Sequence, residues 1–148
     1  MFAIQLVISL TAALAASAPA VAPAVAAQSC DDTAIVPKGR GDGQASLQPA
    51  PATSSASEVA ALLLTGKEAA ASGRMRDAEV VFLNACRDAR AVPGQDAGVS
   101  LADAMYQLGR HYATVAQSGS GSKAELLARS QRLYGAALQT YQARYGAR

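Results

Sequence analysis

The sequence has no tryptophan, only two phenylalanines and a single histidine in 148 residues, and each scarcity narrows what the chain can do. His111 stands between Arg110 and Tyr112 with no Gly-x-Ser-x-Gly elbow anywhere, so a serine nucleophile would have no obvious base or turn to activate it. Two cysteines and one histidine, at the separations of Cys30, Cys86 and His111, are too few and too scattered to ligate zinc. No run alternates apolar and polar residues as a half-buried strand would. The formal net charge is +2, too small to argue for nucleic acid. The Gly66-Lys67 pair lacks the rest of a phosphate loop: Ala61 stands five residues before the Gly-Lys, and Glu68 follows where Ser or Thr is needed. An enzyme, a bound cofactor, a metal and a nucleotide are therefore not expected.

Charge is also missing from residues 1–27, MFAIQLVISLTAALAASAPAVAPAVAA. The apolar run Ile4 to Ala16 is shorter than the roughly 20 residues a membrane span requires. Pro19 and Pro23 interrupt it, and Val25 and Ala27 sit at the alternate positions a signal peptidase reads. This stretch is expected to be a signal peptide cleaved near Ala27, delivering the mature chain to the periplasm or medium. The start has no Lys or Arg, a departure from the usual pattern. Ala27-Gln28-Ser29 is a poor lipidation box ahead of Cys30. An oxidising destination allows Cys30 and Cys86 to form a disulfide, while Cys86 would fit equally as a small buried apolar side chain.

Residues 28–54, QSCDDTAIVPKGRGDGQASLQPAPATS, have few large apolar side chains and no sustained period, so composition predicts a disordered linker or tail. Within it, Arg40-Gly41-Asp42 matches the tripeptide that integrin ligands display, a match short enough to arise by chance. The character changes at residue 55. Ser55 to Glu58, Ser100 to Asp103 and Ser122 to Glu125 each have the spacing of a helix-capping box. Four apolar stripes follow helical periodicity: Val59, Leu62, Leu63, Ala69 and Ala70; then Ala78, Val81, Phe82, Ala85, Cys86 and Ala89; then Leu101, Met105, Leu108, Tyr112 and Val115. The last and longest runs from Leu126 through Ser130, Leu133, Tyr134, Ala137, Leu138 and Tyr141 to Tyr145. Ser72-Gly73, Pro93-Gly94 and Gly119-Ser120-Gly121 separate them. The expectation is an all-α domain over 55–148, with helices near 55–71, 75–91, 100–117 and 122–145 arranged as two antiparallel hairpins.

The order Leu62, Gly66, Gly73, Ala78, Phe82, Ala85, with spacings of four, seven, five, four and three, resembles the tetratricopeptide repeat. There a small residue on the first helix admits the second, and a small-aromatic-small ladder fills the contact. Ala69 stands where that family has an aromatic residue. The second hairpin repeats the theme with Leu108-Gly109, Tyr112, and the ladder Ser130, Tyr134, Ala137. Gly66 and Gly109 are 43 residues apart, against about 34 in the common repeat, so the likeness is closest to the extended repeats of kinesin light chains. It covers roughly residues 58 to 146.

The resemblance implies a short helical solenoid that binds protein, with the first helix of each hairpin lining a groove. The positions it places there are Ala60, Leu63 and Lys67 in the first hairpin and Asp103, Tyr106 and Arg110 in the second. Lys67 and Arg110, one repeat apart, suit a partner protein or peptide bearing carboxylates. Two repeats also leave an open apolar face, which the long last helix with Tyr134, Tyr141 and Tyr145 is expected to cap; the alternative is a self-associating structural subunit or homodimer, or a plain four-helix bundle.

Overall fold

Ser55 opens the first helix with both halves of a capping box: its hydroxyl accepts from the Glu58 N–H, and the Glu58 carboxylate accepts from the Ser55 N–H. In the computed structural model, which describes residue 30 and residues 32–146, this helix, α1, spans Ala56–Ala71. Three more follow: α2 Met75–Arg90, α3 Asp96–Ser118 and α4 Lys123–Tyr145. There is no strand among the described residues, so the fold is all-α as the periods predict. α1 with α2 and α3 with α4 form the two hairpins, α2 packs on α3, and α1 reaches across to α3. The expected signal segment, 1–27, lies outside the described residues.

One helix start differs from expectation. α3 begins at Asp96, four residues before the Ser100 box, and Ser100 is buried inside it. Gly94, at φ +76°, turns the chain directly into the helix, and Asp96 in the first turn complements the helix dipole. A helix can start there without a side-chain cap, so the serine spacing misleads.

Within each hairpin, a glycine sets how closely two helices approach. A Cβ added at Gly66 would lie 2.5 Å from Phe82 Cε1, and Phe82 is held in the core. At Gly109 the nearest atoms, on Leu133, Ser130 and Tyr134, would all be 3.3 Å away. Both glycines are thus close-packing positions, and the first is much the tighter.

α2 is enclosed on nearly every side. Besides its apolar stripe it buries Asp77, Glu79 and Asn84, because residues 32–54 lie across its outer face. A disulfide joins Cys30 to Cys86 with the Cα atoms 6.1 Å apart, and Val36 is inserted to 1% exposure. Glu79 accepts from the Ile35 and Val36 N–H groups at 2.6 and 2.9 Å. Asp77 accepts from Gly43 and Ala45. Asn84 reads the strap main chain in both directions, accepting from Gln48 N–H at 2.9 Å and donating to Ser46 C=O at 3.1 Å. Arg76, Arg87 and Arg129 donate to the carbonyls of Val36, Gln48 and Thr33.

The expectation of a disordered linker over 28–54 is therefore corrected for the described part. The segment is irregular, yet it is fastened. Composition measures how much apolar surface a segment can bury, and this one is held mainly through main-chain groups bonded by side chains elsewhere, plus a covalent tie closing a sequence separation of 56 residues. Loop closure of that length is worth about 4 kcal/mol in the chain-entropy treatment. The strap also completes α2. Arg74, preceding the helix, supplies no side-chain cap, and Asp42 Oδ1 instead accepts from the Arg76 and Asp77 N–H groups at 3.0 and 3.2 Å. The other oxygen of Asp42 accepts from Gly39 N–H, which commits the acid of the Arg40-Gly41-Asp42 tripeptide to the fold.

Gly66→Ala should destabilise the protein in urea denaturation, since overpacking against Phe82 costs about 1–3 kcal/mol and exceeds the gain of about 1 kcal/mol from replacing a helical glycine. Gly109→Ala should change stability by less, with the two terms nearly cancelling. Equal stability of the two variants would mean that Phe82 is free to move aside.

Candidate functional site

The mouth between α1 and α3 is shaped by the same close approach. With Gly66 lying on the Phe82 ring, the next residue, Lys67, projects from the exposed edge of α1, and Arg110 does the same one residue after Gly109 on α3. Both side chains line one cleft of ≈ 400 Å³. Its floor is Met75 and Phe82, and His111, Gln107 and Thr114 complete the α3 wall. Neither cation makes an ion pair with any described residue.

His111 is buried to 4% exposure. Its Nε2 lies 2.9 Å from the Met75 carbonyl oxygen, an acceptor, so Nε2 carries the hydrogen. The ring also packs against Phe82 with centroids 5.5 Å apart. Burial lowers the imidazole pKa to about 4, outweighing the Met75 carbonyl and the charge of Asp42, which both favour the proton. A ring neutral at pH 7 and hydrogen-bonded to main chain forms part of the wall of the cleft.

The six residues expected to share a groove divide. Lys67 and Arg110 are brought together. Leu63 is packed in the core at 8% exposure and does not line this cleft, because α1 turns that side toward α2; this corrects its assignment to the groove. Ala60 is exposed about two helical turns before Lys67, outside the cleft lining. Asp103 and Tyr106 lie further along α3 at the seam with α4. There the Tyr141 hydroxyl donates to Asp103 Oδ1, and the Tyr106 and Tyr134 rings pack at 5.6 Å. Desolvation, then the Asp103 carboxylate, pushes the Tyr141 pKa well above the ordinary phenol value. The last helix caps only in part: Tyr134 and Tyr141 are half-buried, whereas Leu138 and Tyr145 are 57% and 61% exposed.

Sequence reasoning missed Gln107, His111 and Thr114 as parts of the cleft wall. Gln107 and Thr114 stand three residues before and four after Arg110, so helical spacing around that arginine was a sufficient signal. A second depression of ≈ 490 Å³ lies between the strap and the end of α2, lined by Asp32, Arg87 and Arg90. Its Arg87 is already paired with Asp32 and bonded to the Gln48 carbonyl, which makes it a poor anion site. No group of three or more His, Cys, Asp or Glu among the described residues is arranged to hold a metal ion. No helix among the described residues is long and apolar enough to cross a membrane. Comparison with protein-family models, curated proteins and solved structures finds no match for this chain.

The histidine makes stability depend on pH with a definite sign. Below about pH 6.5 the unfolded chain binds a proton that the folded ring refuses until about pH 4, so stability should fall as pH drops through that window. Urea midpoints measured between pH 7 and 4 should fall less steeply for His111→Gln, whose amide can still donate to Met75. Parallel profiles for the two proteins would show that the folded ring titrates normally.

Proposed function

We propose that this chain is a non-catalytic interaction module, a short tetratricopeptide-like solenoid exported to an oxidising compartment such as the periplasm, which takes an acidic segment of a partner protein into the cleft between its hairpins. The observation that carries this reading is the convergence of Lys67 and Arg110, from two different hairpins, on one concave site with an apolar floor and no carboxylate of its own. The exposed cations beside Phe82 and Met75 suit a ligand whose carboxylate they bind by charge-assisted hydrogen bonds and whose apolar neighbour covers the floor. The Gly66–Phe82 and Gly109–Tyr134 contacts support the repeat-like packing, and the Cys30–Cys86 disulfide supports export.

The self-associating alternative draws on a different observation, the exposure of Leu138 and Tyr145 at the end of α4, and leaves the cleft unexplained. Fluorescence anisotropy with a fluorescein-labelled peptide carrying glutamate followed by leucine should show saturable binding to the mature protein. Lys67→Glu combined with Arg110→Glu should weaken it at least about tenfold, since two attractions become repulsions. Unchanged affinity in the double variant, with its helical circular dichroism intact, would remove the cleft as the binding site.

A further inference from the structure

We propose that the cleft continues along α3 as a selective band: it favours a partner segment in which a basic residue lies three positions from the acidic one, with an apolar side chain between them. This deepens, and rests on, the assignment of the cleft to an acidic segment. Arg110, Tyr106 and Asp103 occupy one face of α3 at successive turns. Arg110 and Asp103 are seven residues apart, and at 1.5 Å per residue their attachment points stand about 10 Å apart along the helix. An extended chain covers about 10 Å in three residues. The face therefore presents a cationic end and an anionic end at the separation of residues i and i+3 of an extended ligand.

The side chains between and beside those ends are suited to an apolar residue. Tyr106 is 43% exposed and braced by Tyr134, and Arg110 lies near enough to influence the Tyr134 hydroxyl. Leu138 follows one turn along α4, 57% exposed. Tyrosines offer large contact area at low entropic cost, with a hydroxyl for main-chain groups. Asp103 is exposed, and its carboxylate is oriented by the Tyr141 hydroxyl, so a fixed anion closes the band opposite the Lys67–Arg110 pair. Charge complementarity sets the ligand's polarity along α3: acid over the cleft, base over Asp103. A second copy of the chain would also place Asp103 against Arg110 about a twofold axis, but a convex helix face cannot fill the ≈ 400 Å³ cleft that Lys67 overlooks. An extended segment fills both.

The test uses two fluorescein-labelled hexapeptides, glycine–glutamate–leucine–alanine–lysine–glycine and the same peptide with glutamate in place of lysine. The mature protein should bind the lysine peptide about fivefold or more tightly, the size expected when one partly exposed attraction becomes a repulsion. Asp103→Asn, which can still accept from Tyr141, should erase that preference, and Asp103→Lys should reverse it. Equal binding of both peptides by the parent, with binding still lost in the Lys67→Glu, Arg110→Glu variant, would overturn the band and leave the cleft standing. Binding of neither peptide up to millimolar concentration would overturn both. A dimer in sedimentation that Asp103→Arg breaks and Asp103→Arg with Arg110→Asp restores would assign the face to a second copy and overturn the proposal.

Discussion

The carboxylate of Glu79 is the point on which the rest of the structure turns. It has no solvent exposure, and four donors from three parts of the chain converge on its two oxygens. The Ile35 and Val36 N–H groups come from the strap, Arg76 from the preceding turn of α2, and the Tyr112 hydroxyl from α3. No acceptor position is left vacant, which is what allows such a group to be buried at all. Each bond fixes something different. The strap bonds set where the chain crosses α2, Arg76 reaches on to the Val36 carbonyl, and Tyr112 sets how α3 lies against α2. Deleting this carboxylate would strand buried donors on three elements, a loss well beyond the net value of any one bond.

That hub also decides which surfaces are left open. With the strap bonded to Asp77, Glu79 and Asn84 and tied by Cys86, the outer face of α2 is occupied by the chain itself. The opposite side, where α1 and α3 diverge over Phe82 and His111, stays open and carries the unpaired cations. Tyr112 and His111 are neighbours on α3, one bonded to Glu79 and the other to the Met75 carbonyl. The cleft wall and the strap anchor are therefore braced by the same turn of helix.

Much of this could be read from residues alone, and the limits have physical reasons. Four helices were legible because their stripes are long and their breaks carry glycine. Gly66 against Phe82 was legible because an aromatic side chain between two alanines needs an absent Cβ opposite it. Lys67 and Arg110 were placed together only through the repeat resemblance, since sequence spacing says nothing of two hairpins meeting. The strap was invisible because its stability comes from acids and an asparagine on what looks like the solvent face of α2; in a sequence, a buried Glu79 and a solvated one are the same letter. Leu63, one turn before Lys67 and rotated from it by about 40° around α1, falls on the side packed into the core, a difference within the tolerance of any helical period. Ser100 failed as a cap because glycine and Asp96 start the helix earlier.

The central claim is that a partner enters between α1 and α3 while the strap stays in place. The most direct measurement is a two-dimensional amide NMR titration of the mature protein with an acidic peptide. The account predicts shift changes at Lys67, Gln107, Arg110 and Thr114, with Ile35, Val36 and Gln48 unmoved. Shifts concentrated at Ile35, Val36 and Gln48, with the cleft amides unchanged, would mean that the ligand displaces the strap from α2, and would contradict it.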